Sequence, residues 1–149
     1  MGKPSLFNAA DSNAICQRID ALRPDTGRLW GTMTPDQMLA HCCMPLEQGL
    51  GKIELPPEGN LLTRWMIKQF VLRADRFRPN LPTSRAFVIR ETAGFEHEKA
   101  RLLANISETH QRGPAGPWAP HNLFGAVQPE RWGRLCYVHL DHHLRQFGV

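Results

Sequence analysis

The stretch Pro129-Glu130-Arg131-Trp132-Gly133-Arg134-Leu135-Cys136-Tyr137-Val138-His139-Leu140-Asp141-His142-His143-Leu144-Arg145-Gln146-Phe147 decides how this chain is read. A proline with an acid beside it starts a helix well, because the first helical residue needs no N–H and the helix N-terminus favours negative charge. Gly148 is placed to end it. On that helix His139 and His143 lie about 40° apart in projection and about 6 Å apart along the axis, so two imidazoles can grip one ion. Asp141 projects about 200° from His139 and cannot join them. His142 sits about 60° to the other side. A His139/His142 pair is the poorer chelate, and His142 reads as a surface residue, with a place behind the ligands as the alternative. Seven histidines in 149 residues give about 0.3 pairs at spacing four by chance, so the pair needs a third partner to carry weight.

That partner is sought on a second helix. Thr34-Pro35-Asp36-Gln37 offers a capping threonine, a proline at the first position and a glutamine at the third. The helix is expected to run to about Gln48, with Gly49 and Gly51 as stops. Its His41 shares a face with Gln37, Met38, Pro45 and Gln48. A bundle lets one histidine on a facing helix complete a triad with two on another. Pro45 cannot bond the carbonyl of His41. That either aims His41 or bends the helix for packing, and the sequence leaves both readings open.

Three further helices are predicted. One covers about Asp11 to Leu22, with Ile15, Ile19 and Leu22 at helical spacing, Asp11 or Ser12 as cap and Pro24 as stop. Another spans Leu61 to Phe77 and carries Arg64, Lys68, Arg73 and Arg76 on a polar face. A third covers about Phe95 to His110, with Phe95, Leu102, Leu103 and Ile106 on its apolar face. Between the last two, Pro79 and Pro82 force an extended stretch, and Ala86-Phe87-Val88-Ile89 reads as a short strand or a strap over the helices. Gly113 to Gly125 is a Pro- and Gly-rich loop, long enough to suggest a covering segment.

Composition sets the outer bounds. Hydrophobic residues make up 42% of the chain and charged residues 21%. With that balance, 149 residues suit one globular domain, 1–149. No run of 18 apolar residues exists, so no membrane-spanning helix is expected. The opening MGKPSLFNAADSNAIC lacks the apolar core of a secretory signal, and Leu6 stands where a myristoylation motif wants Ser or Thr. The expectation is therefore a cytoplasmic protein in which Cys16, Cys42, Cys43 and Cys136, which show no paired spacing, stay reduced. A net charge of +4 and a pI of about 9.2 permit an anionic ligand without demanding nucleic acid.

Trp30-Gly31-Thr32-Met33-Thr34-Pro35-Asp36-Gln37-Met38-Leu39-Ala40-His41-Cys42 resembles the first signature of the DinB-like (YfiT-like) superfamily, in a branch of uncharacterised domains. Pro129 to Phe147 resembles the second, and Leu123-Phe124-Gly125 also fits. The likeness spans essentially the whole chain. It implies an all-α, antiparallel four-helix bundle with a three-histidine divalent metal site, whose ligands map by position to His41, His139 and His143. Nickel or zinc occupies such sites in relatives. Some relatives are thiol-dependent transferases or isomerases that use bacillithiol, mycothiol or glutathione, and a homodimer is implied as well. The extra helix and the extended strap between the second helix and the next bundle helix depart from the simplest members.

Three neutral imidazoles leave a divalent ion at least one open position, whereas closed structural sites normally use four protein ligands. Such an ion can lower the pKa of bound water towards ~7 or deprotonate a bound thiol. Imidazole suits Zn, Ni, Cu or Fe(II), and zinc or nickel is expected here. No HExxH pattern supplies a protease base. His121, in the long loop before Phe124, is a candidate general acid or base, although an exposed loop histidine is the plainer reading. His97 and His110 read as surface helix residues. Cys42 and Cys43 point about 100° and 200° away from His41. Cys136 and Trp132 lie one and two turns before His139 and read as packing, or as pocket wall.

The leading functional expectation is a metal-dependent enzyme acting on a small molecule, with a low-molecular-weight thiol as a possible cofactor. The alternative is a non-catalytic metal or small-ligand binding protein linked to stress. A nucleic-acid or membrane patch on Arg64, Lys68, Arg73, Arg76 and Arg78 is set aside, because Trp65, Met66, Phe70 and Leu72 around the same helix read as buried.

Overall fold

The computed structural model describes residues 2–149. Among these the chain forms five α-helices and no strand: α1 (Ala9–Ala21), α2 (Pro35–Gly49), α3 (Leu61–Val71), α4 (Phe95–Arg112) and α5 (Pro129–Gln146). The Thr34 signal is read out in full. Its hydroxyl accepts from the Gln37 N–H, and the Gln37 side chain accepts from the Thr34 N–H. α2 continues without a break through Pro45, which is buried. α5 opens on Pro129 as expected. α1 starts two residues before Asp11, because Asn8 is the capping residue and accepts from the N–H groups of Ala10 and Asp11. Asp11 lies in the first turn and accepts from the Ser5 N–H.

Four helices share the core. α2 packs on α4 and α5, and α1 packs on the same two from the other side. Ile15, Ile19, Leu39, Leu46, Leu102, Ile106, Leu140 and Leu144 are all within 1% of complete burial. Each contributes about 1.5–3 kcal/mol on leaving water. Gly133 lets the N-terminal segment lie directly on α5. The Leu6 N–H donates to the Gly133 carbonyl, and a Cβ at Gly133 would stand 2.5 Å from Ser5 Oγ and 2.6 Å from Phe7.

α3 overturns an expectation. It ends at Val71, well short of Phe77, and none of its residues is buried. Trp65, Met66 and Phe70, expected inside, are 60%, 48% and 78% exposed; only Leu72, just past the helix, is buried. The inward side of α3 carries Ile67 and Val71 together with Arg64 and Lys68, which donate to the carbonyls of Leu123 and Ala126. Those two bonds turn the apolar outer face to solvent.

The segment Ala86–Ile89 is a strap, not a strand: Arg85–Phe87 forms one 3-10 turn, with Phe87 buried. Glu58 fastens it. Its carboxylate accepts from the Ser84 hydroxyl and from the N–H groups of Arg85 and Ala86. Asn122 also donates to Glu58, tying in the loop before α5.

Candidate metal centre

α2 and α5 face each other across the core, so their histidines meet. His41 comes from the middle of α2; His139 and His143 come one turn apart from the last half of α5. One side-chain nitrogen of each lies within 4.8 Å of the others. His41 Nε2 and His139 Nε2 are 3.0 Å apart. Two nitrogens about 2.0–2.1 Å from one cation, at tetrahedral angles, stand about 3.3–3.4 Å apart, so the cluster needs only a small adjustment to close on an ion.

The far side of two of the three rings is held as ligand histidines require. His41 Nδ1–H donates to the Phe87 carbonyl at 2.8 Å, and His143 Nδ1–H donates to Gln146 Oε1 at 2.8 Å. Because carbonyl oxygens only accept, both protons are fixed on Nδ1 and both Nε2 atoms are unprotonated, that of His41 accepting from His139 Nε2. Gln146 is itself anchored, its Nε2 donating to the Trp30 carbonyl at 2.9 Å. The approach is so close that a Cβ at Gly31, whose φ is +78°, would lie 2.5 Å from Gln146 Nε2.

Burial keeps the rings neutral. It pushes His41 below its ordinary pKa, against the opposing Phe87 carbonyl. It pushes His139 well below, with His143 and His41 adding to the effect. His143 falls to about 3, from burial first and then the neighbouring His41. Neutral imidazoles are the form that binds metal. The three-imidazole donor set, with the Nδ1 atoms of His41 and His143 held, fits a divalent cation.

A cavity of about 750 Å³ opens onto the triad. Its walls come from α2, α3, the strap and α5, including Met33, Ile67, Val71, Phe77, Phe87 and Leu135. His121 and His142 line it too, and both correct a sequence reading. His142 is 7% exposed, not on the surface, and is wedged between Trp30, Phe77 and His143. His121 is 4% exposed, not an open loop residue. Paired backbone bonds between His121 and Gly125 close a tight loop that tucks the ring against Phe124, with Phe87 edge-on. Its Nδ1 accepts from the Leu123 N–H, so its proton sits on Nε2. Burial, with the Arg64 charge adding and Glu58 opposing, pushes it down to about 3.

The other candidates stay outside the cluster. His97 is exposed, and His110 donates from Nδ1 to the Leu6 carbonyl. Cys42, Cys43 and Cys136 are buried, and burial raises all three thiols, Cys43 and Cys136 to about 12. Cys136 does reach the cavity wall. Trp132 is fully buried and stacks on Trp118. Two groups that orient the triad escaped the sequence reading. Gln146 lies three residues after His143, on the same helix face, and that spacing could have found it. The Phe87 carbonyl left no signal, since any residue supplies one.

No helix among the described residues is long and apolar enough to cross a membrane. Compared with known proteins, no curated protein and no solved structure matches the chain. One family does match, over residues 3–148, and its description reads "Protein of unknown function". With a match over nearly its entire length, the chain belongs to that family, DUF1569.

Proposed function

We propose that this protein is a DinB-like, four-helix-bundle metalloenzyme, folded as one domain, in which His41, His139 and His143 hold one zinc or nickel ion. The observation that carries the reading is the meeting of three imidazole nitrogens within 4.8 Å, drawn from two helices far apart in sequence and opening onto a cavity. A cation held by three protein ligands supplies Lewis acidity at an open position, where it can acidify a thiol or a water. The chemistry that follows is thiol-dependent transfer or isomerisation of a small molecule.

The chain's own groups do the rest. Phe87 and Gln146 fix the orientation of His41 and His143 through their Nδ1 protons. The strap and α3 supply part of the cavity wall beside the triad. His121, with Nδ1 engaged and its pKa pushed down to about 3, acts as a neutral N–H donor towards the reacting molecule and not as a carrier of protons.

The test is elemental analysis of protein purified without added metal, followed by a thiol-plus-electrophile screen. We expect close to one zinc or nickel per chain, a sharp loss in His41→Ala and His139→Ala, and an unchanged helical spectrum. Equal metal in wild type and variants refutes the site. Bound metal without turnover over a broad electrophile panel refutes the enzyme and leaves a binding protein.

A further inference from the structure

The cavity's charge inventory says what enters it. Among the described residues no aspartate, glutamate or lysine lines it, and Arg90, on the strap, is its one formally charged side chain. Histidines that ligate a metal do so as neutral imidazoles. The acids nearby are engaged elsewhere. Glu58 is taken up by Ser84, Arg85, Ala86 and Asn122; Asp141 lies on the other side of α5, against Arg18 and Arg145. A divalent ion on three neutral ligands therefore keeps its full double charge in a site with no protein counter-charge. A buried charge without a partner is costly. The remaining walls are largely apolar, and about 750 Å³ lies within the usual range for organic ligands.

We infer that the cavity is built for a molecule with an apolar body and one anionic, metal-binding end group of carboxylate type. The end group supplies the missing negative charge at the open position. The body lies against Met33, Ile67, Val71, Phe77 and Leu135. A cationic end group would be repelled by the metal. The inference rests on the metal site proposed above and adds the class of molecule bound there.

Octanoate, acetate and octylammonium separate the two requirements. Each is titrated calorimetrically into zinc-loaded and chelator-treated protein, after zinc uptake has been measured. Octanoate is expected to bind zinc-loaded protein at least tenfold more tightly than metal-free protein and at least thirtyfold more tightly than acetate. Octylammonium is expected to gain nothing from zinc. Ile67→Ser, on the wall helix and away from the ligands, should weaken octanoate three- to tenfold and leave zinc uptake unchanged. Equal binding of octanoate and acetate, equal binding with and without zinc, or octylammonium binding as tightly as octanoate overturns the inference while the metal site stands. Failure to take up zinc removes the site and the inference together.

Discussion

A single side chain controls how His143 is presented. Gln146 accepts from His143 Nδ1–H and donates to the Trp30 carbonyl, so it links the triad to the segment before α2. Groups of this kind typically alter metal affinity about 10–100-fold when removed, and Gln146→Ala is expected to do so in a chelator competition assay. Gly31→Ala should act in the same direction. Its Cβ would crowd Gln146 Nε2, and the left-handed backbone at Gly31 disfavours any side chain. An unaltered affinity in both variants removes Gln146 from the account. His121 sets a pH dependence. Its folded pKa of about 3 lies below the unfolded value of about 6.5, so the unfolded chain binds more protons between those values and stability rises with pH across that window. From pH 7 to pH 5 the metal-free protein is expected to lose about 2 kcal/mol through this one ring. In His121→Asn the fall in denaturation midpoint over the same range should be visibly shallower. At this scale the sequence was legible where geometry is periodic: spacing put His139 and His143 one turn apart, while His41 had to be brought to them by a facing helix, as it is. His121 reads there as a candidate acid or base, but its plainer reading is an exposed ring, since nothing in a Pro- and Gly-rich loop says that two backbone bonds to Gly125 fold it inward.

Helices α2 and α5 were legible as elements because their starts carry chemistry of their own, a capping box in one and an N-terminal proline in both. α3 departs from its sequence reading for a physical reason. Trp65, Met66 and Phe70 on one helix normally mean burial, but Arg64 and Lys68 tether the opposite side to loop carbonyls and leave those three outside. Phe70→Asp should therefore leave stability almost unchanged, as surface substitutions usually do, within ~0.5 kcal/mol. Ile106→Ala in α4, at a fully buried position, should cost about 2–5 kcal/mol. Chemical denaturation measures both, and a comparable loss in the two would place Phe70 inside. The segment Ala86–Ile89 was legible as a short strand or a strap, and its one turn has no hydrophobic period to decide between them. Its role follows from Glu58, which fixes residues 84–86 and through them the carbonyl of Phe87 on His41. Glu58→Ala is expected to speed amide exchange at Arg85 and Ala86 and to weaken metal binding, with the exchange of α2 unchanged.

Across the whole molecule, the core ring and the cluster support one another. α2 and α5 both carry leucines that are almost wholly buried, Leu39 and Leu46 in one and Leu140 and Leu144 in the other, and both supply histidines to the cluster. A metal that binds only the folded chain adds about 2.7 kcal/mol at a hundredfold excess over its Kd. For a chain of this length that corresponds to roughly 5–11 °C in Tm, so a chelator should lower the melting temperature by that amount. The most direct measurement is X-ray absorption at the metal edge of the zinc-loaded protein. The account predicts three imidazole nitrogens about 2.0–2.1 Å from a single zinc, one further light atom, and no sulfur. A sulfur shell at about 2.3 Å, or fewer than three imidazoles, would contradict it.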